Sequence, residues 1–259
     1  MSYRKSTIKI FRDLVESMTF PIDIRTIVTD SDGNYVLYVC DIYHAQPNFT
    51  VEINAETYTI VAIDSEENTI TLSGAVPIIV TSFELYKPFF FYGTPTQTNM
   101  ELSKESQVNI KHVPMVYMIV PFDDVDQNDI SPITKTISGD LFFLTQSNNL
   151  TWLNEQAFDE GVMPMRRLAE NLVQKMIETI SVFDILPDKK SFKMKDYPKF
   201  GVQIQGKGVN LSYWNDNLSG CSMRIESLGI WDDGKCDVCL PPILPIESSF
   251  DSSFDNSFS

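Results

Sequence analysis

Ile24-Arg-Thr-Ile-Val-Thr-Asp-Ser-Asp-Gly-Asn-Tyr-Val-Leu-Tyr-Val-Cys-Asp41 is the stretch that sets the class of fold. Residues 24–29 and 35–41 are rich in Ile, Val, Tyr and Thr, and they flank Asp30-Ser-Asp-Gly-Asn34. Asp, Gly and Asn between two β-prone runs read as a hairpin turn. The same pattern continues to residue 76. Phe49, Val51 and Ile53 alternate with polar residues, and Tyr58 and Ile60 do so after a turn at Asn54-Ala-Glu56. Asp64-Ser-Glu-Glu-Asn68 then turns into Thr69-Ile-Thr-Leu72. Short strands joined by tight turns over about fifty residues predict a small barrel or sandwich.

Towards the N-terminus, residues 6–18 read as a short amphipathic helix. Thr7, Phe11, Leu14 and Met18 share one face, Ser6 is the N-cap, and Pro21 stops it. Towards the C-terminus, further strands are predicted over 77–125. The span 83–91 is aromatic-rich, and 115–122 is apolar enough to be buried on both faces. Residues 123–139 read as a polar loop and 141–145 as a buried strand. Residues 162–183 give the strongest helix signal. Met165, Leu168, Ala169, Leu172, Met176 and Ile180 make one stripe, Arg166, Arg167, Glu170, Lys175 and Glu178 cover the other side, and Pro164 falls in the first turn.

Residues 188–199 read as a basic loop carrying Lys189, Lys190, Lys193, Lys195 and Lys199, followed by strands over 200–205 and 222–230. Pro241-Pro-Ile-Leu-Pro245 is a stiff, extended linker. The predicted fold is α+β: a mixed or antiparallel sheet with helices packed on one face, an inserted small all-β, barrel-like module, and an extended C-terminal tail. The predicted divisions are 1–23 (a helix packing on the main domain), 24–80 (the β-module), 81–240 (the main α+β domain) and 241–259 (linker and tail).

Composition narrows the function. The 259 residues carry a net charge of −15, which argues against gripping nucleic acid phosphates through basic patches. It is compatible with an acidic wall past which DNA slides. The N-terminus lacks the apolar region of a signal peptide, and no run approaches 18 apolar residues, so no membrane association is expected. The four cysteines, Cys40, Cys221, Cys236 and Cys239, are expected to be reduced.

Reaction motifs are scarce, and no enzyme activity, metal or cofactor is expected. Neither His44 nor His112 has a nucleophile motif beside it. Asp124-Val-Asp126-Gln-Asn128 has calcium-loop spacing, but Asp129 stands where such a loop needs Gly and Lys135 where it needs Glu. Cys236-Asp-Val-Cys239 lacks the paired ligands of a structural zinc site. The final thirteen residues, Glu247-Ser-Ser-Phe-Asp-Ser-Ser-Phe-Asp-Asn-Ser-Phe-Ser259, repeat Phe every fourth position in a Ser/Asp background. Such a segment buries too little apolar surface to order itself, so Phe250, Phe254 and Phe258 are expected to enter pockets on a neighbour. Lys189, Lys190, Lys193 and Lys195 are read as a second partner contact.

One run resembles a known group. The strand at 115–122, an acidic loop, Asp140-Leu-Phe-Phe-Leu-Thr145, Asn148-Asn-Leu-Thr-Trp152 and the helix opening Val162-Met-Pro-Met-Arg-Arg-Leu168 look like tailed-bacteriophage virion proteins. Asn215-Asp-Asn-Leu-Ser-Gly220 and Met223-Arg-Ile-Glu-Ser227 are similar to the same group. The group comprises neck, tail-completion and tail-terminator ring proteins, including those of crAss-like and other Bacteroidetes-type phages, and the likeness covers residues 110–240. It implies a non-enzymatic structural protein of the virion, assembled in the host cytoplasm. It implies a closed homo-oligomeric ring that acts as a head–tail connector in the neck, joins portal-side to tail-side proteins, and passes DNA through its lumen without sequence-specific binding. Two other readings stand beside it. One is a host-surface or glycan-binding module of a tail or baseplate, with Tyr35, Tyr38 and Tyr43 as candidate aromatics. The other is a carboxylate hydrolase, which requires a cleft with two close acidic residues.

Overall fold

The computed structural model describes residues 6–73, 80–96, 113–119, 123–126, 133–147, 154–179, 183–184, 192–200, 202–205, 209–212 and 218–231. Strand makes up 51% of it, so the protein is mostly β. Six strands form the first sheet: β1 (Pro21–Thr29), β2 (Tyr35–Val39), β3 (Thr50–Ile53), β4 (Glu56–Asp64), β5 (Thr69–Ser73) and β6 (Ser82–Glu84). Their order is β3-β4-β5-β2-β1-β6, all pairs antiparallel. The edge strands β3 and β6 come back beside each other, so the sheet is a nearly closed barrel. Its first and last strands pair Pro21 with Glu84, so it extends a few residues beyond the predicted 24–80 at both ends.

The turns form as their residue types require. Asp30 Oδ1 accepts from the amides of Asp32 and Asn34 at 2.9 and 2.8 Å, while Gly33 takes φ +85°. Asn54 and Ala55, at φ +54° and +64°, make a two-residue loop between the paired Ile53 and Glu56. Both central residues of that loop have the left-handed φ of the tight turn that matches strand twist. Inside the barrel, Leu37, Ile60, Ile70 and Leu72 are fully buried.

The second sheet contains β7 (Phe89–Gly93), β8 (Met115–Ile119), β9 (Asp123–Asp126), β10 (Ile133–Gln146), β11 (Phe183–Asp184), β12 (Lys193–Phe200) and β15 (Leu218–Trp231). Strands β13 (Val202–Gln205) and β14 (Val209–Ser212) pair with each other. The second sheet is mixed: β7 runs parallel to β8, and the other pairs are antiparallel. Its axis is the long β10–β15 pair, which runs from Ile133↔Trp231 to Gln146↔Leu218. At Gly220 (φ +154°) the two backbones approach so closely that a Cβ would collide with the Phe143 carbonyl oxygen. Glycine alone fits there.

Helix α1 (Thr7–Glu16) matches its expectation: Ser6 caps it by accepting from the Lys9 amide, and Thr7, Phe11, Leu14 and Val15 are buried. Helix α2 (Met163–Glu178) buries Met165, Leu168, Ala169, Leu172 and Met176 of the predicted stripe; Ile180, its last member, lies outside the described residues. It is preceded by Asn154–Gln156 and by a π-helical turn, Ala157–Val162.

Two expectations are corrected. A helix layer over one face of an α+β sheet is not the organising principle. The stripes of α1 and α2 join one buried apolar cluster that also takes side chains from the barrel (Ile22, Leu37, Ile60) and from the second sheet (Val116, Phe143, Met223). The predicted polar loop at 123–139 contains β9 and the start of β10. The β10 residues there pair with both β9 and β15, so backbone pairing overrides the polar composition.

Candidate functional site

The sequence from Tyr86 to Tyr92 is Tyr-Lys-Pro-Phe-Phe-Phe-Tyr. It links the barrel's last strand to β7, and it is pinned at several points. The Leu85 amide donates to Phe20 O at 3.1 Å and the Phe89 amide to Pro114 O at 2.9 Å. His44 Nε2 lies 2.9 Å from Tyr86 O, so Nε2 carries the proton and donates. Phe20 meets the imidazole edge-on, with centroids 4.4 Å apart. Fixing that proton on Nε2 leaves Nδ1 as a buried acceptor with no hydrogen-bond partner. Burial pulls the His44 pKa down to about 4, so the ring is neutral and holds the Tyr86 carbonyl in place.

Pinned in this way, the segment presents aromatics to solvent. Tyr86, Phe89 and Tyr92 are 53%, 38% and 43% exposed. Arg12 from α1 stands over the Tyr92 ring at 5.4 Å, a cation–π contact. Phe49, Thr50, Tyr86, Lys87, Phe89 and Val113 line a solvent-open cavity of about 270 Å³. Lys87 Nζ donates to the Glu16 main-chain carbonyl at 3.1 Å, and no carboxylate among the described residues pairs with it.

A second concavity, of about 330 Å³, lies between the barrel and the π-helical turn. Val61, Ile63 and Ser65 form one wall, and Asp159, Glu160 and Arg167 the other. Arg167 Nη2 donates to Ser65 Oγ at 2.8 Å. Burial, then the neighbouring Asp159, raises the Glu160 pKa, and burial lowers that of Arg167. The two carboxylates are consecutive on one turn, and both line this concavity.

The predicted site residues fall as follows. Phe250, Phe254, Phe258, Lys189 and Lys190 lie outside the described residues, as do His112, Cys236 and Cys239. Lys193 and Lys195 lie on β12, which corrects the expected basic loop. Lys193 Nζ bonds Glu226 Oε1 at 3.0 Å, and Lys195 Nζ stands 5.3 Å from the Tyr197 ring centroid. Both cations are therefore engaged within the chain.

The three candidate tyrosines do not form one platform. Tyr35 packs edge-on against Tyr58, Tyr43 packs edge-on against Phe20, and Tyr38 is exposed. Asp124 and Asp126 of the candidate calcium loop lie on strand β9, and its residues 127–132 lie outside the described residues. Among the described residues no group of three His, Cys, Asp or Glu is placed to hold a metal, and no helix is long and apolar enough to cross a membrane. The aromatic corner at Tyr86–Tyr92 was missed as a site. Its signal was the unusual density of aromatics around Lys87-Pro88, which reads equally as a buried strand.

No protein family, curated protein or solved structure matches this chain.

Proposed function

We propose that this chain is a non-enzymatic structural protein of a tailed-phage virion. It is the subunit of a closed ring in the head-to-tail neck, joining portal-side to tail-side proteins around the DNA channel. The observation that carries this reading is the exposed pair Tyr86 and Phe89, which line one cavity, on a body whose barrel and second sheet share one apolar core. Exposed aromatics that share a cavity favour a protein contact. Two further features support it: the motifs over residues 110–240 that the sequence reading likens to neck and tail-completion proteins, and the net charge of −15, which would keep a DNA duplex from adhering to a channel wall.

The separation of Tyr35, Tyr38 and Tyr43 weighs against a glycan platform. Light scattering with negative-stain imaging tests the proposal, on the full chain and on a chain ending at Pro245. Closed rings from the full chain are the expected result. A strict monomer that also fails to ring on added portal or tail complexes removes the reading.

A further inference from the structure

We propose that the cavity beside Tyr86 is the receptor for the Phe-Asp units of the C-terminal tail, supplied by a neighbouring copy of this chain. The inference rests on the ring reading for the copy that supplies the tail. Three observations lead to it.

The first is size. At about 270 Å³ the cavity lies at the small end of the ~300–1,000 Å³ range of ligand pockets, and it has room for one aromatic side chain.

The second is chemistry. Phe49, Tyr86 and Phe89 supply aromatic walls, and aromatic rings pack edge-to-face or offset against an incoming ring. Lys87 stands among them, exposed, with its ammonium on a main-chain carbonyl and no carboxylate partner among the described residues. The cavity therefore calls for an aromatic group followed closely by an anion.

The third is the tail itself. Phe250 is followed by Asp251 and Phe254 by Asp255. The aspartate follows its phenylalanine directly in the sequence, about 3.8 Å of backbone away, so when the ring enters the cavity the carboxylate stays within reach of the long Lys87 side chain that lines the same cavity. The unit occurs twice, and Phe258 offers a third ring, so one tail presents several equivalent ligands to one cavity and raises its effective concentration there. Neither the other concavity, with its mixed charges, nor the exposed Tyr38 meets this requirement.

The test uses the full chain with Tyr86 replaced by the photoreactive p-benzoyl-phenylalanine. Irradiation is followed by gel electrophoresis and mass-spectrometric mapping, and light scattering is run on the same sample. The expected result is a two-chain product whose crosslink maps within residues 246–259. Replacing Phe250, Phe254 and Phe258 by Ser should cut that product at least tenfold. Lys87→Glu should weaken it several-fold, and adding Asp251→Lys and Asp255→Lys to Lys87→Glu should restore it.

A crosslink to the chain's own tail, to another segment, or to nothing overturns the proposal. If rings persist in that case, the ring reading stands without it. If the chain is monomeric as well and fails to ring on added portal or tail complexes, both fall.

Discussion

Thr145, near the end of the long strand β10, donates its hydroxyl to Gln46 Oε1 at 2.6 Å, and both side chains are buried. The bond spans 99 residues of sequence and ties the segment after β2 to the second sheet. Gln46 Nε2 has no hydrogen-bond partner, so the amide is already half-satisfied. Thr145→Val should lower unfolding free energy by about 1–3 kcal/mol, the penalty for a buried acceptor left unmade. The double variant Thr145→Val/Gln46→Leu should recover part of that loss. Urea denaturation of the four proteins in the cycle measures it. Strict additivity would show that the bond does not couple the two elements.

A second expectation concerns Gly220. With φ at +154° and the Phe143 carbonyl oxygen where a Cβ would sit, Gly220→Ala must push β15 away from β10. A loss of about 3 kcal/mol or more is expected, read as a fall in thermal midpoint or as insoluble expression. Ser222→Ala, on the same strand but at an ordinary position, serves as the control. Equal stability of the two variants would contradict the close approach.

Acid sensitivity follows from His44. Its folded pKa is about 4 against about 6.5 in an unfolded chain. Between those values the unfolded state binds the proton and the folded state does not. Stability contributed by neutral His44 is therefore complete above pH ~6.5 and declines as pH falls towards 4, by about 3 kcal/mol at most. His44→Gln keeps a donor for Tyr86 O and removes the titration, so its stability curve should be flatter over that window. Parallel curves for the two proteins would rule out His44 as the source.

The two described cysteines should behave differently towards a thiol reagent. Cys40 is exposed, whereas Cys221 is buried and its pKa is pushed up to about 12, chiefly by burial. Labelling under native conditions, followed by peptide mapping, should mark Cys40 and spare Cys221 until denaturant is added. Modification of Cys221 in the native protein would mean that the β15 seam opens readily.

Arg166 on α2 holds Asp196 on β12 through two bonds of 2.7 and 2.8 Å. With the Arg166 side chain 36% exposed, the pair is screened by solvent. Arg166→Lys, which keeps the charge and loses the fork, should remove only about 1 kcal/mol or less. The loss should shrink with added salt, as chemical denaturation at two ionic strengths would show.

Local grammar was legible wherever a residue type has one structural use. Asp30 to Asn34 could only be a turn, Ser6 capped a helix as read, and the Met165–Met176 stripe is buried at its predicted spacing. What escaped depends on distant partners. Lys193 and Lys195 looked like loop because alternate charges on an exposed strand mimic solvated coil. β12 is a strand because Lys193↔Arg224 and Met194↔Met223 pair it to β15. The cavity at Tyr86 escaped for the same reason. Its walls come from Phe49, Tyr86 and Val113, which no short window brings together.

The pairing of Pro21 with Glu84 has a consequence for how such a chain can change over generations. The polypeptide enters and leaves the barrel side by side, so its length can vary without re-routing the second sheet. The tolerance is uneven. At the hairpin Asn54–Ala55, whose residues are exposed, an inserted residue has room, whereas the turn from Asp64 to Asn68 is held by the Arg167 bond to Ser65. At the base, Phe20 and Ile22 are welded into the common core. The barrel thus has a fixed root and one free hairpin, Asn54–Ala55, and lineages of this protein should diverge first there.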